Sequence, residues 1–307
     1  MEALSDWKGR LIGGRYELEE YIFKGGMGHV FKAWDCKQEC WVAVKIATII
    51  PGEDPFGDNM ISRLKREVAA LKRLNHPCIV RLLDWGKEAD LSFAVLEYLQ
   101  GVNLGIYIDH VIFARPPNLC VHIVVQVLEA VAVMQKSGFI HRDIKPSNIM
   151  VAEDDTIKLI DFGTAKPLLA SGRRRKRLTL PGYVPGTPGY LSPEQSKGKR
   201  LDFSSDLYNC GLVLFELLTG ELPFPERHID VDVEGRERQM GYFFKRSNVS
   251  KKIQIVIRKA LQIDHKLRYQ TAKEMQLALV EATRPFSLRR WFKDIRNKIC
   301  AWFSSLK

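Results

Sequence analysis

Asp143, Lys145, Asn148 and Asp161 put a base, a cation and two oxygen donors suited to a hard metal into one short stretch. Asn148 lies five positions and Asp161 eighteen positions beyond Asp143. They belong to two runs, His141-Arg142-Asp143-Ile144-Lys145-Pro146-Ser147-Asn148 and Asp161-Phe162-Gly163, joined by a stretch that reads as a hairpin. The combination suits phosphoryl transfer, in which a catalyst mainly positions a hydroxyl and neutralises phosphate charge. Far upstream, Ile22-Phe23-Lys24-Gly25-Gly26-Met27-Gly28-His29-Val30 could supply the phosphate cradle. Glycines there let backbone N–H groups approach oxygens that a Cβ would keep away. Val42-Ala43-Val44-Lys45 then offers an ammonium on a strand, and Glu67 follows 22 residues later.

These residues need elements to hold them. Residues 16–47 alternate apolar and polar positions around Gly25, Gly26 and Gly28, which predicts strands and a tight turn. A helix follows, with Leu64, Val68, Leu71 and Leu74 on one face and Glu67 close to it. Strands are expected over 79–84 and 93–98, and after Gly101 the character turns helical. Long apolar helices are expected over 120–136, ending at Gly138, and over 206–218, with two more over 250–261 and 271–283. The outline is a small strand-rich lobe, a connector and a larger helical lobe. There is no internal repeat.

The two runs resemble the catalytic loop and the magnesium loop of protein kinases, and the order Gly loop, Lys45, Glu67 resembles the nucleotide side of that family. The resemblance covers about residues 10–283, and Lys145-Pro146, the Gly-Gly-Met-Gly turn and Arg268-Tyr269 look most like the Ser/Thr kinases of bacteria. It implies an α+β, bilobal kinase-like fold, with an antiparallel β-rich N-lobe carrying one main helix and a mostly α-helical C-lobe. The expected boundaries are an extension over 1–15, an N-lobe over 16–96, a C-lobe over 97–284 and a basic tail over 285–307. It also implies a protein Ser/Thr kinase using ATP with Mg²⁺ or Mn²⁺. Asp143 would accept or orient the hydroxyl proton, Lys145 would screen the γ-phosphate, and Asn148 and Asp161 would hold the metal. Lys45, paired with Glu67, would hold the α and β phosphates. Adenine would lie between Val30 and Ala43 above and Met150 below, against the backbone from Glu97 to Leu99, with Leu96 at the rear.

On the substrate side, Gly186 to Glu194 resembles the peptide platform, with Ser192-Pro193-Glu194 in place of Ala-Pro-Glu. Thr187 would steady Asp143 and Lys145, Glu194 would pair with Arg268, and Asp206 would anchor the catalytic loop. Thr179 is the expected autophosphorylation site, with Ser171 and Thr164 as lesser candidates and Arg142 as the phosphate receiver. One position departs from the family: Phe23 stands where the first loop glycine belongs. Its ring would cap the apolar cleft, and the alternative it raises is a pseudokinase or nucleotide-binding scaffold with weak transfer.

The net charge of +11 is local. Arg173 to Arg177 contribute five positive charges and residues 284–307 a net six, leaving 35 basic and 35 acidic residues elsewhere. A folded nucleic-acid face is therefore not expected. Trp291, Phe292, Ile295, Ile299, Trp302, Phe303 and Leu306 recur at near-helical spacing among basic residues, which suits an anionic membrane surface, packing on the chain's own C-lobe or a partner protein through 287–307. Protein substrates and self-association for autophosphorylation complete the expected partners. The six cysteines show no zinc spacing and favour buried reduced thiols, and no signal peptide or run near a spanning length is expected. The expected location is cytoplasmic, with peripheral membrane contact through the tail.

Overall fold

The computed structural model describes residues 7–25, 28–48, 60–110, 116–153, 156–168, 188–224 and 232–283. Six antiparallel strands form the first lobe: β1 (Leu11–Ile12), β2 (Tyr16–Gly25), β3 (Gly28–Asp35), β4 (Cys40–Thr48), β5 (Leu82–Glu88) and β6 (Leu91–Glu97). Their spatial order is β1-β2-β3-β4-β6-β5. The sheet curls until its ends meet, where the Tyr16 hydroxyl donates to Asp84 at 2.5 Å and the Gly13 N–H to Glu88 at 2.6 Å.

Strand periodicity decides what faces the cleft. Val42, Val44 and Ile46 are buried in the sheet core with Leu18, Phe31 and Val95. Ala43 and Lys45 therefore project from the opposite face of β4. Helix α1 (Met60–Leu71) covers that face, with Leu64, Glu67, Val68 and Leu71 all buried at helical spacing. Leu74, expected within this helix, lies just past its end but is still buried.

The expected strands at 79–84 and 93–98 are displaced. The hairpin turns at Ala89-Asp90, where Ala89 takes φ +48°, a left-handed conformation that alanine does not advertise. Ile79 and Val80 instead bridge to the second lobe. The Val80 N–H donates to the Leu159 carbonyl at 3.0 Å, and the Leu159 N–H to the Cys78 carbonyl at 2.9 Å.

The second lobe begins with β7 (Gly101–Asn103) and α2 (Leu104–His110), then α3 (Pro117–Lys136), β8 (Phe139–Ile140), β9 (Ile149–Ala152), β10 (Ile157–Leu159) and β11 (Lys166–Pro167). Helices α4 (Pro193–Ser196), α5 (Phe203–Thr219), α6 (Val233–Arg246), α7 (Lys251–Ala260) and α8 (Ala272–Ala282) follow. β9 and β10 form the expected hairpin between the two catalytic runs. Helix α3 overturns the expectation that no run nears a spanning length: it has 20 residues, and its most apolar 18-residue stretch has a mean hydropathy of 1.7. Ten of those residues are buried, because α5 and α8 pack on it as a central core helix. Fourteen of the seventeen α5 residues are buried, and the helix ends at Gly220 with φ +80°. Cys78, Cys120 and Cys210 are buried free thiols; Cys36 and Cys40 are exposed, against the expectation of burial, and Cys300 lies outside the described residues.

Candidate active site

The glycine turn is the tip of the β2–β3 hairpin. Phe23 pairs with Val30, Lys24 with His29 and Gly25 with Gly28 across the strands. Gly28 has φ +133°, and a Cβ there would lie 2.4 Å from the Ile46 carbonyl oxygen. Only glycine lets this strand lie so close to β4. Ile22 and Phe23 are 44% and 49% exposed. His29 is buried, with its ring nitrogen 3.4 Å from the Tyr21 hydroxyl. Gly26 and Met27 lie outside the described residues.

Behind this turn, Lys45 meets two carboxylates. Its Nζ lies 2.6 Å from Glu67 Oε2 and 2.9 Å from Asp161 Oδ1. The Phe162 N–H donates to the other Glu67 oxygen at 3.3 Å, so β4, α1 and the Asp161 turn share one node. Burial works against the Lys45 ammonium, but Asp161 and Glu67 outweigh it and hold its pKa above the ordinary lysine value. Burial also works against an ionised Asp161, and Lys45 reverses this, leaving the carboxyl below its ordinary value. For Glu67, burial prevails over Lys45 and its pKa is raised. The node is thus a buried cation between the fully buried Glu67 carboxylate and the Asp161 carboxylate, which keeps 26% exposure, a charge pattern suited to polyphosphate and metal.

Asp143, Lys145 and Asn148 sit on the loop that leads into β9. Asn148 Nδ2 donates to the Asp143 carbonyl at 2.8 Å and to Asp143 Oδ2 at 3.0 Å. Lys145 Nζ lies 3.0 Å from the same Oδ2. Asp143 is thereby fixed from two sides. The loop itself is anchored from below by Asp206 on α5, whose oxygens accept the His141 and Arg142 N–H groups, each at 2.8 Å. Burial pushes the Asp206 carboxyl up to about 6, although the two N–H groups pull the other way. Arg142 and Asp161 both take left-handed backbone, φ +71° and +65°. Non-glycine residues rarely do so, at a cost of about 1–3 kcal/mol each, and here the anchors hold them. Burial also keeps the His141 pKa low, and its ring packs edge-on to Phe162 at 4.9 Å.

Asn148 and Asp161 supply hard oxygen donors at the two ends of this array. Among the described residues no group of three or more His, Cys, Asp and Glu side chains forms a metal cluster. Two protein ligands nonetheless fit Mg²⁺, which keeps waters and substrate phosphates as its other ligands. Of the residues expected around adenine, Val30 and Ala43 on the first lobe and Met150 on the second are partly buried, and Leu96 is buried. Leu99 packs on the second-lobe core.

Arg142 was expected to receive a loop phosphate. Its guanidinium donates to the Thr164 carbonyl, from Nε at 2.7 Å and also from Nη2, and the loop that would carry the phosphate lies outside the described residues. Thr164 was expected as a lesser phosphorylation site. Its hydroxyl is buried and donates to the His141 carbonyl at 2.9 Å, so it is a structural tie in this conformation. Thr187, Thr179, Ser171, the arginine run 173–177 and the tail 287–307 lie outside the described residues. Beyond them, Glu194 and Arg268 form the expected pair, with bonds of 2.8 and 2.7 Å. Burial alone would raise the Glu194 carboxyl, but Arg268 holds it at about 2.

Three positioning contacts escaped sequence reasoning. Arg66 Nε donates to the Gly163 carbonyl at 3.0 Å, and Gln195 Nε2 to the Arg142 carbonyl at 2.8 Å. The Glu97 carboxylate accepts from Lys158 Nζ at 2.8 Å. None has a spacing signal, since each joins segments remote in sequence.

Residues 16–279 match the protein kinase domain family. A probable serine/threonine-protein kinase of Clostridium perfringens is 36% identical over 271 residues, covering 87% of this chain and 38% of the relative. The serine/threonine-protein kinase PknB of Mycobacterium tuberculosis is 35% identical over 275 residues, covering 88% of this chain and 43% of the relative. The chain thus spans about two-fifths of the length of these relatives. The crystal structure of the Mycobacterium tuberculosis PknI kinase domain superposes with a TM-score of 0.67 at 22% identity, over 90% of this chain and 98% of that one, a likeness of fold. With the family match spanning both lobes and every element of the array inside it, the chain belongs to the protein kinase family.

Proposed function

We propose that this chain is a serine/threonine-protein kinase that transfers the γ-phosphoryl group of ATP to protein hydroxyls. The observation that carries the reading is the joined array: Lys45 bonded to both Glu67 and Asp161, with Asp143 fixed by Asn148 and Lys145. In this reading Asp143 receives the substrate hydroxyl, orients its oxygen toward the phosphorus and takes up its proton. Lys145 steadies negative charge beside Asp143, and Lys45 holds phosphate oxygens that enter near Asp161. Asn148 and Asp161 would hold Mg²⁺, which supplies charge neutralisation on the phosphates when bound. Backbone N–H groups of the β2–β3 turn would cover the phosphates, with adenine between Val30, Ala43 and Met150 and against Glu97 to Leu99. Thr187 completes the catalytic set on the substrate side.

The Ser/Thr choice rests on Lys145-Pro146 and on the relatives' names. We place the domain at 16–284, its lobes meeting at Glu97, with Mg²⁺ preferred over Mn²⁺, Thr179 as the site of self-phosphorylation between copies, and a cytoplasmic location. Incubation with labelled Mg-ATP, phosphoamino-acid analysis and mass-spectrometric mapping test this. Phosphoserine or phosphothreonine with modified Thr179 is expected; phosphotyrosine alone overturns the specificity, and an active chain unmodified at Thr179 overturns the regulatory site. The second reading, a nucleotide-binding scaffold with weak transfer, has one observation in its favour, the half-exposed Phe23 at the first glycine position.

A further inference from the structure

Glu97 ends β6 at the junction of the lobes, and its carboxylate is gripped twice. Oε1 accepts from Lys158 Nζ at 2.8 Å and from the Arg81 N–H at 2.8 Å. The Glu97 N–H returns a bond to the Arg81 carbonyl at 3.0 Å. The Lys158 and Glu97 side chains retain 14% and 21% exposure, so the pair is largely shielded from the water and salt that weaken surface pairs.

Lys158 is also tied through its own strand. It stands opposite Met150 in the β9–β10 register, and its neighbour Leu159 exchanges backbone bonds with Val80 and Cys78. One ammonium therefore joins the end of β6 to the hairpin whose other strand carries Met150 and follows directly from Asn148. These are the ceiling edge and the floor of the proposed nucleotide slot.

We propose that Lys158 is a positioning residue for nucleotide binding, setting the distance between the 97–99 backbone and Met150 by holding Glu97 to β10. Lys158 touches no substrate; it acts through Glu97. The inference rests on the kinase reading, because only a nucleotide between those segments gives the spacing a consequence.

The test uses the full chain and four proteins: wild type, Lys158→Met, Lys158→Arg and Glu97→Gln. Affinity for Mg-ADP is measured by calorimetry, and kcat and KM for ATP by labelled-phosphate transfer. Lys158→Met, which keeps the aliphatic stem, is expected to weaken Mg-ADP and raise the KM for ATP about three- to tenfold, with kcat within about twofold. Lys158→Arg restores most of the loss, and Glu97→Gln, which removes the charge but keeps an acceptor oxygen, weakens Mg-ADP by a smaller factor; if Lys158→Met does not fold, the Mg-ADP affinity of Glu97→Gln against wild type carries the comparison. Equal Mg-ADP affinity in wild type and variants, or a fall in kcat at constant KM, overturns the inference. A wild-type chain that binds no Mg-ADP overturns the kinase reading instead.

Discussion

Replacing Glu194 by Gln removes the charge that neutralises Arg268 while keeping the side-chain volume. The Arg268 side chain is fully buried and that of Glu194 is 6% exposed. The carboxylate accepts two bonds from Arg268 and one from the Ser205 hydroxyl at 2.6 Å. Arg268 also donates to the carbonyls of Gln262 at 2.7 Å and Ile263 at 3.1 Å, which orient the guanidinium without cancelling its charge. Removing one partner of such a buried pair costs about 3–5 kcal/mol. Proton linkage gives a similar size. Against burial, Arg268 lowers the Glu194 carboxyl from 4.5 to about 2, which corresponds to about 3 kcal/mol at neutral pH. A loss of that order lowers the Tm by roughly 6–12 °C in a domain of this size.

The sign with pH follows from the depressed value. The folded form binds its proton less readily than the unfolded one, so the stabilisation is complete above pH 4.5 and is lost as pH falls toward 2. Equilibrium urea unfolding of wild type and Glu194→Gln at pH 7, repeated stepwise down to pH 3, measures both terms. The deficit of the variant is expected to be about 3 kcal/mol at pH 7 and to narrow below pH 4.5. A deficit under about 1 kcal/mol at pH 7, or one that stays constant to pH 3, would refute the reasoning.

Lys45→Met is expected to lower phosphate transfer by about a hundredfold or more, checked by initial rates, because it removes the cation at the phosphate node and leaves Glu67 and Asp161 facing each other unneutralised. Asp206→Ala leaves the buried His141 and Arg142 N–H groups without their acceptor; a loss of about 2–6 kcal/mol in urea unfolding is expected, with a parallel fall in activity. Gly28→Ala places a Cβ 2.4 Å from the Ile46 carbonyl, and a loss of about 1–3 kcal/mol is expected by thermal unfolding, with unchanged stability counting against the close approach. Phe23→Gly is expected to change kcat/KM for ATP by less than about threefold; a tenfold gain would show that this side chain restrains the loop.

Local signals served well wherever one face of an element decides its role. The alternation Val42, Val44, Ile46 put Lys45 on the far face of β4, and Glu67 three residues after Leu64 put it on the buried stripe of α1. Those two periodicities turn the pair toward each other, and packing of α1 on β4 closes it to 2.6 Å. Helix α6 was not legible for the opposite reason. Its buried residues are only Arg236, Met240 and Phe244, one per turn, and the first of them is charged. The β5–β6 turn was missed because Ala89 occupies a conformation normally marked by glycine or asparagine.

In the site, the sequence motifs indicated which residues carry charge and oxygen donors, while the supports were read only through the family resemblance or, for Glu97 and Lys158, not at all. Asp206, a residue read as an anchor only through resemblance, reaches His141 across 65 positions. Glu97 meets Lys158 across 61, and Arg268 meets Glu194 across 74. Such partners are chosen by topology, through the crossing of β10 behind the lobe junction and of α5 beneath the loop, and no spacing rule encodes them. Thr164 shows the same limit from the other side. A hydroxyl that looks available in the sequence is committed to His141 once the loop folds.

In the proposed function, Asp143 within this array directs phosphoryl transfer to a protein hydroxyl. Its most direct measurement is transfer of labelled phosphate from Mg-ATP to a generic basic protein by wild type and by Asp143→Asn, with Mg-ADP affinity of both measured alongside. Transfer by wild type, loss of about a hundredfold or more in Asp143→Asn, and nucleotide affinity retained in both are expected. Equal transfer by the two proteins, or none by a wild type that binds Mg-ADP normally, would contradict it.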